Sequence, residues 1–180
     1  MRTHGSSLRH DPVSMSRARR AFAAHPLAAF LATGFGSGLS PVAPGTAGSL
    51  VGLAAGWLLA SHGSILGSPV GLLMSGLAVG LVGVAVSGPV SRALGSEDPG
   101  CIVIDEVAGQ LVACAGAVLV PGPPFWAWAA AFVLFRAFDI LKPLGIGRIQ
   151  NLPGGWGVVA DDVLGGLYAA GLLAIASRWV

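Results

Sequence analysis

The chain has 180 residues, 54% of them hydrophobic and only 10% charged, with a formal net charge of +2. A soluble domain carries about 25% charged residues, so this composition excludes a water-soluble monomer, and so small a net charge gives no reason to expect a nucleic-acid partner. A mean hydropathy of +0.77 carried in long, non-alternating apolar runs predicts an all-α fold: one polytopic helical membrane domain, integral to the membrane, rather than a barrel.

Residues 1–20 hold Arg2, Arg9, Arg17, Arg19 and Arg20 against Asp11 alone. They read as a basic cytosolic tail, with the membrane domain occupying residues 21–180. Ala21–Thr33 is apolar but short, and His25-Pro26 interrupts it. It reads as a re-entrant or interfacial helix rather than a signal peptide, because no soluble domain follows for it to export. Gly34–Ser49, GFGSGLSPVAPGTAGS, is a loop rich in Gly, Pro, Ser and Thr. Spans are then expected near Ala47–Ser61, Val70–Pro89, Ile102–Val120, Phe125–Leu141 and Val158–Ser177, about four to five in all. The first and fourth are short of the ~20 residues that a full crossing needs.

The loops fix an orientation. His62–Pro69 and Pro121–Pro124 carry no Lys, Arg, Asp or Glu, whereas Ser91–Gly100 carries Arg92 and Lys142–Gly157 carries Lys142 and Arg148. With five spans the two basic loops share a side with the basic tail, and the positive-inside rule makes that side cytosolic. Arg178 is the one mild exception. Four unusual clusters then reach one depth just inside the cytosolic face: Gly34–Thr46, Asp105-Glu106, Arg136 with Asp139, and Asp161-Asp162.

An Asp near the centre of a membrane helix costs roughly 2.5–3.5 kcal/mol, and less toward the ends. Adjacent carboxylates also repel, so they need a cation, an arginine or a shared proton. Asp105, Glu106, Asp139, Asp161 and Asp162 at one level suit Mg²⁺, which takes one or two carboxylates together with water and phosphate oxygens. Neighbours on a helix point about 100° apart, so not all five can be ligands. The competing reading is a set of structural ion pairs, of which Arg136 with Asp139 at i, i+3 is the natural one.

The Gly34–Ser49 loop has the chemistry of a phosphate cradle. Its glycines permit close backbone approach, Pro44-Gly45 makes a turn, and Thr46 is placed to cap the helix that follows. A helix N-terminus there would offer N–H groups to an anion, although the lysine of a P-loop is missing. Arg136, Lys142 and Arg148 could neutralise phosphate charge; Lys142 and Arg148 could equally anchor at headgroups. Asn151–Gly157 reads as a turn leading to Asp161. Other phosphatase chemistries lack their groups. There is no Cys-x5-Arg loop, no DxDxT and no DG-x2-AR, and His4, His10, His25 and His62 fall outside the clusters. Cys101 and Cys114 read as small core residues.

Four segments in order resemble the phosphatidylglycerophosphatase A family: GFGSGLSPVAPGTAGSL at Gly34–Leu50, IVIDEVAGQ at Ile102–Gln110, FRAFDILKP at Phe135–Pro143 and GGWGVVADDVLGG at Gly154–Gly166. The resemblance runs from about Leu31 to the C-terminus. It implies a Mg²⁺-dependent enzyme of the bacterial cytoplasmic membrane that acts on a membrane phospholipid. That enzyme removes the terminal phosphate of phosphatidylglycerophosphate to give phosphatidylglycerol. Asp105, Glu106, Arg136, Asp139, Lys142, Asp161 and Asp162 stand where the family motif has the same residue type, as do Pro44, Gly45, Thr46, Gly48 and Ser49. One departure is Asp98-Pro99-Gly100, where some members carry a histidine.

The expected chemistry is attack by water assisted by a cation held by some of Asp105, Glu106, Asp161 and Asp162. Arg136, Lys142 and the Gly45–Ser49 backbone would hold the phosphate, and a remaining carboxylate such as Glu106 would take the proton. The rival from another class is an ion-coupled transporter, which calls for acids nearer the midplane. A lipid-binding scaffold has no need of five acids.

Overall fold

The computed structural model describes residues 19, 22–96, 99–143, 146 and 155–180. Arg2, Arg9, Arg17, Arg20, Asp98, Arg148 and residues 151–154 lie outside the described residues. The helices described in full are α1 (Pro26–Ala32), α2 (Pro44–Ser61), α3 (Pro69–Leu94), α4 (Ile104–Val118), α5 (Phe125–Leu141) and α6 (Gly155–Ala176), with short 3₁₀ turns at Ser37–Leu39 and Ile65–Gly67. No strand occurs among the described residues, as the all-α expectation requires.

Local chemistry sets the boundaries. Proline opens α1, α2 and α3, where its missing N–H costs nothing and its φ suits a helix. The hydroxyl of Ser68 accepts from the Gly71 N–H at 3.0 Å and caps α3. That helix runs through Pro89 to Leu94 and stops at Gly95, which is left-handed with φ +68°. The sequence reading ended it at Pro89. Helices in lipid tolerate an internal proline where neighbouring groups re-satisfy the freed carbonyl.

α4 is the axis of the bundle. It packs against α2, α3, α5 and α6, and 13 of its 15 residues are buried. Close approach is possible because small residues line the seams. Gly109 of α4 faces α6 so tightly that a Cβ there would stand 2.5 Å from the Asp162 carbonyl and from Phe135 Cε2. Opposite it, a Cβ on Gly166 would overlap the Gly109 carbonyl.

Two of the described helices, α3 with 26 residues and α6 with 22, are long and apolar enough to cross a membrane. Only 28% and 39% of their apolar windows are buried inside the protein, unlike a soluble core helix. The surface elsewhere is apolar too, with Leu58, Val133 and Ile140 exposed. The remaining expected spans are shorter. α4 is about 22 Å long at 1.5 Å per residue, against a hydrocarbon core of ~30 Å. It reaches protein, not lipid, on nearly every side.

Candidate active site

The starts of α2, α4 and α6 and the end of α5 meet at one end of the bundle, and every sequence-predicted cluster is found there. Asp105 and Glu106 lie in the first turn of α4. Asp161 and Asp162 lie two turns into α6, where they are 2% and 3% exposed. Arg136 and Asp139 occupy the last two turns of α5, and Lys142 is its C-cap.

Two cations meet five carboxylates, and the pairing is selective. Arg136 Nη1 donates to Asp139 Oδ2 at 2.6 Å and to Ser49 Oγ at 3.3 Å. The Ser49 hydroxyl in turn donates to the Gly45 carbonyl at 2.8 Å. Lys142 Nζ is bonded to Asp161 Oδ2, and Asp161 Oδ1 accepts from the Asp162 N–H at 3.0 Å. Burial works against the Lys142 charge, but Asp161, Asp162 and Asp139 around it prevail and push its pKa up.

Asp105, Glu106 and Asp162 are left over. Each offers an oxygen to a cluster whose ligand atoms all lie within 4.8 Å of one another. Asp105 Oδ1, Glu106 Oε2 and Asp162 Oδ2 are buried and have no hydrogen-bond partner. A buried charge left unpaired costs several kcal/mol. Three of them together fit a hard divalent cation, whose preferred ligands are carboxylate oxygens. The structure therefore divides the expected ligand set. Asp105, Glu106 and Asp162 have the free oxygens, whereas Asp161 already has Lys142 and Asp139 already has Arg136.

The cradle differs in detail from its sequence reading. Thr46 does not cap α2. The helix begins earlier, at Pro44, and its N-cap Ala43 makes no side-chain bond, which puts Thr46 in the first turn. Helical geometry leaves the N–H groups of Gly45 and Thr46 without intrahelical partners, because the first backbone bond, Ala47 N–H to Ala43 O at 3.1 Å, comes after them. Gly45 sits against the acids: a Cβ there would overlap Glu106 Oε1 and stand 3.2 and 3.3 Å from Nη1 and Nη2 of Arg136. Gly48 serves packing, since its Cβ would come 2.7 Å from Val103 Cβ. Ala43 and Lys142, with φ +47° and +45°, are left-handed without being glycine. Such strain, ~1–3 kcal/mol each, concentrates at functional sites.

Cys101 and Cys114 are free and buried, and burial pushes the Cys101 thiol pKa up. This fits their reading as core residues. The sequence reading assigned no task to Gln110. It is fully buried, and its Oε1 has no partner. An amide in a run of apolar residues was the available signal.

Residues 30–177 match the family model described as Phosphatidylglycerophosphatase A. The chain belongs to the phosphatidylglycerophosphatase A family. It is 40% identical over 152 residues to the Haemophilus influenzae phosphatidylglycerophosphatase A, covering 83% of this chain and 88% of that one. It is 36% identical over 174 residues to the Escherichia coli phosphatidylglycerophosphatase A, covering 95% and 94%. A Bacteroides thetaiotaomicron relative, provisionally named a phosphatidylinositol-3-phosphatase, is 40% identical over 159 residues, covering 86% and 95%. No solved structure matches the chain. The four motif segments of this phosphatidylglycerophosphatase A family member supply every side chain of the site described above.

Proposed function

We propose that this chain hydrolyses the terminal phosphate monoester of phosphatidylglycerophosphate, giving phosphatidylglycerol and inorganic phosphate, as a step of bacterial phospholipid synthesis. The observation that carries this reading is the set of three unpartnered carboxylates beside Arg136 and the α2 N-terminus. Asp105, Glu106 and Asp162 would hold Mg²⁺. When bound, the ion polarises the phosphoryl group and neutralises charge on its oxygens.

The chain's own groups do the rest. Arg136, fixed by Asp139 and Ser49, meets the phosphate oxygens in bidentate fashion. The free N–H groups of Gly45 and Thr46 take a further oxygen at the helix N-terminus. Lys142, bonded to Asp161, adds positive charge at the rim. Water forms the new P–O bond as the P–O bond to glycerol breaks. Glu106 would face the ion with one oxygen and take the water's proton on Oε1, which lies against Gly45. Little else is needed, because phosphoryl transfer depends on positioning and charge stabilisation.

In this reading the protein is multi-pass in the cytoplasmic membrane, with the site and the N-terminus facing the cytosol. α3 and α6 cross fully. α2, α4 and α5 complete the crossing with their flanking turns, and α1 lies at the interface. The substrate's phosphate then reaches the site while its acyl chains stay in the bilayer. The transporter reading is not favoured, since the acids gather at one end of the bundle.

The test is phosphate release by the purified protein. Mixed micelles of phosphatidylglycerophosphate are compared with phosphatidic acid, phosphatidylinositol 3-phosphate and soluble monoesters. Preference for phosphatidylglycerophosphate is expected. Preference for phosphatidylinositol 3-phosphate would move this chain's substrate to the one in the Bacteroides relative's name.

A further inference from the structure

Gln110 lies one turn beyond Glu106 on α4, at the i, i+4 spacing that puts two side chains on one face. Its side chain is fully buried. The Nε2 reaches only Cys114 Sγ at 3.8 Å, and Oε1 reaches nothing. An apolar side chain of similar length would fill the same space without leaving an amide unsatisfied. Packing therefore does not account for a glutamine here.

The seam between α2 and α4 holds both side chains in place. A Cβ on Gly52 would come 2.9 Å from Gln110 Cβ, and a Cβ on Gly45 would overlap Glu106 Oε1. Along this seam two buried oxygens, Glu106 Oε2 and Gln110 Oε1, both lack a donor. An amide's oxygen and nitrogen are interchangeable by a half-turn. Turned over, Gln110 presents its NH₂ where Oε1 now stands, on the helix face it shares with Glu106, and its oxygen accepts from the Cys114 thiol, which is a donor. The Gln110 oxygen then has a donor, and its NH₂ is free to bond a carboxylate.

We infer that Gln110 is a positioning residue for Glu106: its amide NH₂ donates to Glu106 Oε2 from the core side and holds the carboxylate aimed at Gly45 and Arg136. A carboxylate oxygen has two lone pairs, so the bond leaves Glu106 free to serve the site. The inference rests on the proposed role of Glu106.

The experiment compares full-length wild type, Gln110→Met, Glu106→Gln and the double variant in phosphatidylglycerophosphate mixed micelles, with Mn²⁺ affinity measured by electron paramagnetic resonance. Partners standing behind a metal site typically cost about 10–100-fold when removed. Gln110→Met is expected to lose that much in kcat or Mn²⁺ affinity at unchanged lipid KM, and to add nothing to Glu106→Gln. A Gln110→Met protein with wild-type kcat and Mn²⁺ affinity overturns the inference, as does a loss that multiplies with that of Glu106→Gln. Gln110→Leu repeats the test if the Met variant does not fold; failure of both to fold makes the role structural and overturns it. Wild-type turnover in Glu106→Gln removes the role of Glu106 itself, which is a separate failure from a silent Gln110.

Discussion

Replacing Gly45 by alanine tests the geometry of the site with one methyl group. The new Cβ would overlap Glu106 Oε1 and press on the Arg136 guanidinium, 3.2 and 3.3 Å from its two terminal nitrogens. Both neighbours are ends of flexible side chains, so they yield and the backbone does not. Restoring an ordinary contact moves the Glu106 carboxylate by about 1 Å, and a misplacement of that size costs on the order of 100-fold in rate. The fold does not suffer, because alanine is favoured over glycine within a helix by roughly 0.5–1 kcal/mol, and by less in the first turn. Phosphate release from phosphatidylglycerophosphate micelles should therefore fall about 100-fold while the melting temperature in detergent holds or rises. A Gly45→Ala protein as fast as the wild type would refute the reasoning, for it would mean that Glu106 and Arg136 need not converge on this point.

The same substitution at Gly109 should act on stability. Its Cβ meets the Asp162 carbonyl and the Phe135 ring, so overpacking should cost ~1–3 kcal/mol, seen as a lower melting temperature. Asp105→Asn and Asp162→Asn should each lose at least about 100-fold in turnover while the protein still inserts, a loss of the size expected when charge stabilisation at the reacting group is removed; a phosphate-release assay beside a membrane-fraction immunoblot reads both. Lys142→Met strands the buried Asp161 carboxylate. Breaking a buried pair costs ~3–5 kcal/mol, and with the Lys142 side chain 27% exposed about half of that is expected in a detergent melt.

Much of the site could be read from the sequence because charge in an apolar run is conspicuous. Asp105, Glu106, Arg136, Asp139, Lys142, Asp161 and Asp162 all reach one end of the bundle, as their positions along the expected spans required. Which acid pairs with which cation could not be read, since Lys142 and Asp161 are distant in sequence and meet only through the packing of α5 on α6. Helix positions came within a few residues; α5 matches at both ends, and α3 overran Pro89. The number of crossings was less legible. Apolar residues mark a helix that avoids water, but not whether lipid or protein surrounds it. α4 is apolar enough to be expected as a span, yet four other helices sheathe it. Gln110 carries no charge to mark it in the sequence; its burial and its missing partner single it out.

The central claim is that Asp105, Glu106 and Asp162 gather around one divalent cation, and binding can be measured without turnover. Mn²⁺ added to the purified protein should give a bound signal by electron paramagnetic resonance that Mg²⁺ competes away and that Asp162→Asn abolishes. Equal Mn²⁺ binding by the wild type and Asp162→Asn, or none by either, would contradict the account.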